Sequence, residues 1–476
     1  MSTQASQCRF PLYLTPIETF MRLDDRPAYP MTFVVQMDFT GNVGRPAFEA
    51  ALEEGLQRHP LLGAVVQRAK RNQPCWVAAD DPLPPVEWAD EGVPVECPHG
   101  EGIDIGSRTG LRVWVRQGDG SARIVMQFHH ACCDGIGSYR FIGDVLALYG
   151  ARTATDGRRP EPGPVDAGLL RTRKNGIMDL ALNGRPTQVA WAAMRQGAQI
   201  LGRRAAPLHA PMPAAGRNGY MAPFPGVQTY RFSEESYKRL RLAAVEHGVT
   251  VNDLLLGELF QSMRQWNTRH PAPRNGRRLC IMMPTDLRGT EHFELPAANM
   301  TGYTFLARHA GECDRPDELL RGIRNETALI KHERRGTRFV DMVAAALYVR
   351  GLLPLALSAR RCLSTAVLSN VGDPSRRFTA RFPREKGRVV CGNLVLESFS
   401  GAPPLRPKTR ATLSIVTYRR QLGISLRCDP HLFRPEDTAE QLAIFVDRLR
   451  RAAGVEEGVG EWGMGNGGVE SEGLRD

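Results

Sequence analysis

The chain has 476 residues, 42% hydrophobic and 24% charged, enough to bury a sizeable core over more than one compact domain. Its 47 glycines and 34 prolines are dispersed between patterned segments, which excludes a fibrous or largely disordered chain. A formal net charge of +11 favours acidic partners such as coenzyme A phosphates, carrier-protein surfaces or anionic lipid. The basic clusters lack interleaved aromatics, so nucleic acid is not an expected partner.

Ten cysteines, Cys8, Cys75, Cys97, Cys132, Cys133, Cys280, Cys313, Cys362, Cys391 and Cys428, form no repeated Cys-x-x-Cys pairs and read as free thiols. No cationic stretch followed by an apolar run opens the chain, so a cytoplasmic protein without a secretion signal is expected. The most apolar stretch, Met342 to Leu357, is interrupted by Arg350 and Pro354 and is short of the roughly 20 residues a spanning helix needs. It reads as a core helix, with peripheral contact at the inner membrane face as the alternative.

In chain order, Thr32 to Phe39 is a strand candidate and Arg45 to His59 carries apolar residues at helical spacing. Leu111 to Arg116 and Ala122 to His130 read as two strands joined by the turn Gly118-Asp119-Gly120. Tyr139, Ile142, Val145 and Tyr149 then recur at helical spacing, with Gly150 placed to end the helix. From about Asp156 to Phe224 the pattern weakens, apart from a helix expected around Met178 to Leu201. Ser233 reads as an N-cap with Gly248 as the stop, and Thr250-Val251-Asn252-Asp253 opens a second helix to about Trp266. Strand candidates follow at Leu279 to Pro284, Val389 to Glu397, Thr412 to Tyr418 and Gly423 to Cys428, then a helix from Pro435 to about Ala452. The expected division is an α/β lobe over 1–165, a connection over 166–224, a second α/β lobe over 225–453 and a disordered Gly/Glu-rich tail over 454–476.

Chemistry concentrates in His129-His130-Ala131-Cys132-Cys133-Asp134-Gly135, at the strand-to-helix junction. Two His followed by Asp-Gly at this spacing arise by chance on the order of once in a thousand chains of this length. Strand alternation puts His130 on the face of Ile124, Met126 and Phe128, and His129 on that of Val125 and Gln127, so only one imidazole can face a given cavity. A histidine there can take the proton of an attacking hydroxyl or amine. Asp134 is an orienter or a helix N-cap, and Gly135 leaves room beside the imidazole. Two other readings stand beside this one: a buried histidine pair satisfied by backbone, and a metal site. The latter is disfavoured because adjacent ligands rarely converge on one ion.

This segment resembles the HHxxxDG signature of the chloramphenicol-acetyltransferase-like superfamily, which includes condensation domains, polyketide-associated acyltransferases and bacterial wax ester synthase/diacylglycerol acyltransferases. Other segments agree in order. Pro11 to Glu18 resembles the opening segment, and Leu56-Gln57-Arg58-His59-Pro60-Leu61-Leu62 the helix end that precedes the signature. Thr250-Val251-Asn252-Asp253-Leu254-Leu255-Leu256 resembles a helix start of the second lobe, Pro284-Thr285-Asp286-Leu287-Arg288 a strand ending in Leu-Arg, and Leu368-Ser369-Asn370-Val371-Gly372 the Ser-Asn segment of the wax-synthase branch. Gly372-Asp373 stands where that branch has Pro-Gly, and the latch segment of condensation domains has no clear counterpart.

The resemblance implies an α/β fold of two acetyltransferase-like lobes, each a mixed β-sheet with helices, arranged as a V around a central tunnel. It implies His130 as general base, Asp134 paired with an arginine, for which Arg288 is the candidate, and Ser369 or Asn370 donating to the oxyanion. His129 and Gly135 support them. The expected reaction moves an acyl group from a coenzyme A or carrier-protein thioester to an alcohol, without metal or redox cofactor. Alternatives are amide formation on an amine acceptor, a non-catalytic relative that binds carriers or lipids, and a covalent acyl-enzyme through Cys132 or Cys133.

Overall fold

A computed structural model of the chain describes residues 10–69, 72–155, 157–174, 191, 205–211, 223–271, 278–349, 351–357, 361–455 and 460–464. Among these, the strands form two seven-stranded sheets and one of three strands. In spatial order the first large sheet runs Arg384–Glu385, Arg388–Cys391, Leu394–Ala402, Thr32–Thr40, Ser121–His129, Leu111–Gln117 and Val86–Asp90. All its pairs are antiparallel except the last, so the sheet is mixed. Helices Arg45–Arg58 and Gly135–Thr153 join its core through Phe48, Leu52, Leu56, Phe141 and Val145.

The second sheet runs Thr301–His309, Arg278–Asp286, Ala366–Gly372, Ala411–Tyr418, Gln421–Cys428, Gln228–Phe232 and Gly460–Met464, with Ala366–Gly372 parallel to both its neighbours. Helices Glu234–Glu246, Val251–Arg269, Pro316–His332 and Pro435–Ala452 share a separate core with it, through Leu240, Phe260, Ile323 and Phe445. Each large sheet with its helices makes one lobe, and the first cluster extends across the seam to Cys280, Tyr303, Phe305 and Tyr418 of the second sheet. Ser233 caps its helix as expected, accepting from the Ser236 amide, whereas the second helix is capped by Thr250, in a reciprocal pair with Asp253, and not by Asn252.

Four expectations need correction. The second lobe is not the whole of 225–453, because the strands between Arg384 and Ala402 belong to the first sheet. Leu394–Ala402 covers the otherwise open edge of Thr32–Thr40, an edge that would expose a row of unpaired backbone groups. The strand expected over Val389 to Glu397 is two strands, divided at Gly392, whose φ of +62° suits a tight turn. Gly150 does not end its helix, which continues to Thr153; a Cβ there would lie 3.0 Å from the Gly392 amide nitrogen, so this glycine permits close approach. In the tail, Gly460–Met464 pairs antiparallel with Gln228–Phe232. The helix expected over Met178 to Leu201 lies outside the described residues, apart from residue 191.

Met342 to Leu357 is divided between helices Gly336–Tyr348 and Leu352–Ala356, joined through Gly351 at a φ of +81°. Phe339, Val340 and Val343 are buried, whereas Tyr348 is 87% and Leu355 72% exposed, so the core reading fits the inner face and not the tip. No helix among the described residues is long and apolar enough to cross a membrane.

Candidate active site

The Ser121–His129 strand delivers both histidines to the seam between the lobes. The His129 amide donates to the Gly110 carbonyl and the His130 amide to the Met31 carbonyl, each at 2.8 Å, so the backbone is fixed on both sides. The chain then turns, and Asp134 caps the following helix by accepting from the Gly137 amide at 2.8 Å.

The two imidazoles have different work. His129 is fully buried; its Nδ1 accepts from the Ala131 amide at 3.1 Å, so the ring proton sits on Nε2, 3.4 Å from the Asp25 carboxylate. Burial pushes Asp25 up, but its bond to His129 and the Met31 amide outweigh this and hold it below the usual carboxylate range. The buried reading therefore describes His129, held by the Ala131 amide on one side and facing Asp25 on the other. His130 instead lines a cavity between the lobes, its ring against Phe33 at 5.0 Å between centroids. Burial lowers its pKa to about 4, against the opposing pull of Asp134, which keeps the ring neutral at ordinary pH.

Asp134 does not point at the imidazole. It forms a bidentate pair with Arg288, both bonds at 2.9 Å, and also accepts from the Met300 amide at 2.8 Å and the Thr301 hydroxyl at 3.1 Å. Burial pushes its carboxyl up, yet the Arg288 charge and these donors hold it below the usual range. Arg288 adds a bond to the Ala298 carbonyl at 2.9 Å. The pair, between side chains 154 positions apart in sequence, locks the motif helix to the second lobe.

Residues 297–301 form the counterpart on the second lobe, and sequence reasoning missed them. The Ala297 amide donates to Nδ1 of buried His59 at 2.8 Å, and the Asn299 side-chain amide reaches His130. The only signal in the chain was His59 itself, which reads as a helix stop before Pro60.

Gly137, also unremarked in sequence, accommodates this loop: a Cβ there would lie 2.8 Å from the Ala298 carbonyl oxygen. Gly137→Ala should cost about 1–3 kcal/mol of stability by overpacking. Gly135 lines the cavity and a Cβ there meets nothing within 4 Å, so Gly135→Ala should leave stability nearly unchanged. Urea denaturation of the two variants checks the contrast.

The cavity, about 920 Å³ counting its open mouth, is walled mainly by apolar side chains from both lobes, among them Phe20, Phe33, Tyr139, Tyr303, Phe305 and Phe339. Its polar lining is sparse. Ser369 is there, beside Ser414 in the neighbouring strand, a hydroxyl that sequence reasoning missed. Asn370 is exposed and bonds the Asn252 side chain at 3.1 Å instead of lining the cavity, because successive strand residues face opposite ways. Cys132 and Cys133 are fully buried, and burial pushes both thiols well above their ordinary range. Among the described residues, no three His, Cys, Asp or Glu side chains gather to hold a metal ion.

No family model and no curated protein matches the chain. Solved structures do match across its length. The first condensation domain of the calcium-dependent antibiotic synthetase, with a substrate analogue, shares 14% identity at a TM-score of 0.65, covering 94% of this chain and 97% of that one. A mutant starter condensation domain of rhizomide synthetase RzmA, in complex with C8-CoA and Leu-SNAC, shares 12% at 0.62, over 93% and 94%. Polyketide synthase associated protein 5 from Mycobacterium tuberculosis shares 14% at 0.58, over 93% and 98%. At this distance the likeness concerns architecture, and the chain has the two-lobed chloramphenicol-acetyltransferase-like fold of the condensation domains.

Proposed function

We propose that this chain is an acyltransferase that moves an acyl group from a coenzyme A or carrier-protein thioester to an alcohol, with His130 as general base. The observation that carries the reading is the placement of His130. It is the motif histidine that lines the apolar interlobe cavity, with Nδ1 turned to Asn299, which leaves Nε2 for a substrate. The apolar walls suit an acyl chain or aromatic acyl group, and the basic surface suits a phosphorylated or carrier-borne donor.

Nε2 takes the acceptor's hydroxyl proton as its oxygen adds to the thioester carbonyl. The tetrahedral intermediate collapses with loss of the carbon–sulfur bond, and the proton on Nε2 passes to the departing thiolate. Ser369 and Ser414, on neighbouring strands of the cavity wall, are the hydroxyls assigned in this reading to the oxyanion. Asn370 drops out of that role.

An amine acceptor is the second reading, favoured by the full-length likeness to condensation domains. A peripheral membrane contact through the exposed Tyr348 and Leu355 is compatible with either. Thiol release from a panel of acyl-coenzyme A donors, with long-chain alcohols, diacylglycerol and amines, separates them. The ester reading requires acceptor-dependent release with alcohols, whereas release with amines alone would replace it by amide formation.

A further inference from the structure

Two groups on the apolar wall of the interlobe cavity are polar, buried and incompletely used. Tyr303 and Arg406 both line the cavity, and each is 7% exposed. The Tyr303 hydroxyl makes no hydrogen bond among the described residues. Arg406 holds fully buried Asp24 through Nε and, at 2.9 Å, through Nη2, while its Nη1 makes no hydrogen bond among the described residues. Burial pushes the Tyr303 hydroxyl above its ordinary range, so it keeps its proton; the charges of Arg406 and Asp24 both act on it, which makes the three groups neighbours. Fastening the segment after strand Leu394–Ala402 to the first lobe needs only the two bonds to Asp24. Donors left over on an apolar wall are unfavourable unless a ligand meets them.

We propose that Tyr303 and Arg406 form a specificity site for an uncharged oxygen, a hydroxyl or keto group, carried on the acyl chain that fills the cavity. The Tyr303 hydroxyl and Arg406 Nη1 donate to that oxygen. The inference rests on reading the cavity as the acyl site and names the class of acyl group it takes.

The position of the pair says where on the chain the oxygen lies. Tyr303 stands two residues beyond Thr301 in the same strand, about 7 Å by strand rise, and Thr301 is the residue that meets Asp134. The Tyr303 ring packs against Phe20 and Phe339, with centroids 6.5 and 5.1 Å away, whereas the His130 ring rests on Phe33. The oxygen therefore belongs well along the chain, away from the reacting carbonyl. Charge decides its class. Asp24 takes up the Arg406 charge, and Arg26, 3.7 Å from Asp24, is partly exposed and donates to the Leu357 carbonyl. A carboxylate would lose its hydration there without a free counter-charge, whereas a hydroxyl or keto oxygen needs only the donors. A plain alkyl chain would take water from both donors and replace nothing.

The test measures binding to the His130→Gln full chain of acyl-pantetheine thioesters, which carry the arm common to coenzyme A and carrier-protein donors. The panel is octanoyl, its hydroxylated isomers with the hydroxyl at successive carbons, and suberyl, whose far end is a carboxylate. One hydroxylated isomer should bind about 10-fold more tightly than octanoyl, and suberyl should bind more weakly than that isomer. In the same background, Tyr303→Phe removes only the hydroxyl and should cut the preference about 2–10-fold without weakening octanoyl. Arg406→Lys keeps a cation for Asp24, loses Nη1 and should cut the preference likewise; an Arg406 that only anchors would weaken every ligand alike. Equal binding of octanoyl and all its hydroxylated isomers, a preference for suberyl, or a preference unmoved by both substitutions would overturn the proposal. Selective binding without any acyl transfer by the wild-type chain would refute the acyltransferase reading and leave the site intact, whereas transfer by the wild-type chain with indiscriminate binding would refute the site alone.

Discussion

Arg288→Ala should lower the stability of the folded chain by about 3–5 kcal/mol, the usual consequence of stranding one member of a buried ion pair. Asp134 and Arg288 are nearly inaccessible, at 3% and 4% side-chain exposure, so solvent cannot replace the lost guanidinium. The remaining donors to Asp134, from Gly137, Met300 and Thr301, satisfy its lone pairs without neutralising its charge. Asp134→Asn on the Arg288→Ala background should recover part of the loss by removing the stranded charge. Urea midpoints with unchanged slopes read both effects. Acid should act in the corresponding direction. The folded-state pKa of Asp134 is held below its unfolded value, about 3.9 for an aspartate. Its contribution is therefore fully present above that value and lost as pH falls through the folded one.

His130→Gln should reduce acyl transfer by about 10²–10⁴-fold, the range spanned by positioned proton transfer, with little change in stability. The substitution keeps the carbonyl that Asn299 grips and removes the ring nitrogen that serves the cavity. Substrate binding rests mainly on apolar walls, so kcat should fall far more than KM rises. The wild-type pH profile follows from a pKa lowered to about 4 by burial. A base works deprotonated, so its activity should be complete at neutral pH and lost as pH falls through about 4. An unshifted histidine would lose activity near 6.5.

Much of the architecture was legible because it rests on local signals. Strand alternation from Ala122 to His130, the cap at Ser233, and the apolar spacing from Pro435 to Ala452 each depend on neighbours in sequence. What sequence could not show depends on the second lobe's approach. The strands near Arg384 to Ala402 carry no mark of joining the first sheet, because the edge they cover is formed some 360 positions earlier. Gly150 reads locally as a helix stop, whereas its role is set by the Gly392 backbone against it.

The site divides in the same way. His130 and Asp134 were legible from spacing, and the structure pairs Asp134 with the expected Arg288. Of the two residues expected at the oxyanion, Ser369 lines the cavity, whereas strand alternation turns Asn370 away. Asn299 gave no local signal, since its importance lies wholly in meeting His130 across 169 positions. His59 was visible as part of a resembling segment, yet what it holds became clear only with the Ala297 amide beside it.

Direct transfer also distinguishes this account from a covalent route through Cys132 or Cys133, whose buried thiols are held protonated and do not line the cavity. The most direct test is to mix the full chain with octanoyl-coenzyme A, with and without an alcohol, and follow free thiol, ester product and intact protein mass together. The account predicts thiol release that requires the alcohol, matches the ester formed and leaves the protein mass unchanged, with the whole signal lost in His130→Gln. Thiol release without acceptor, accompanied by an acyl adduct on the protein that persists in His130→Gln, would contradict it.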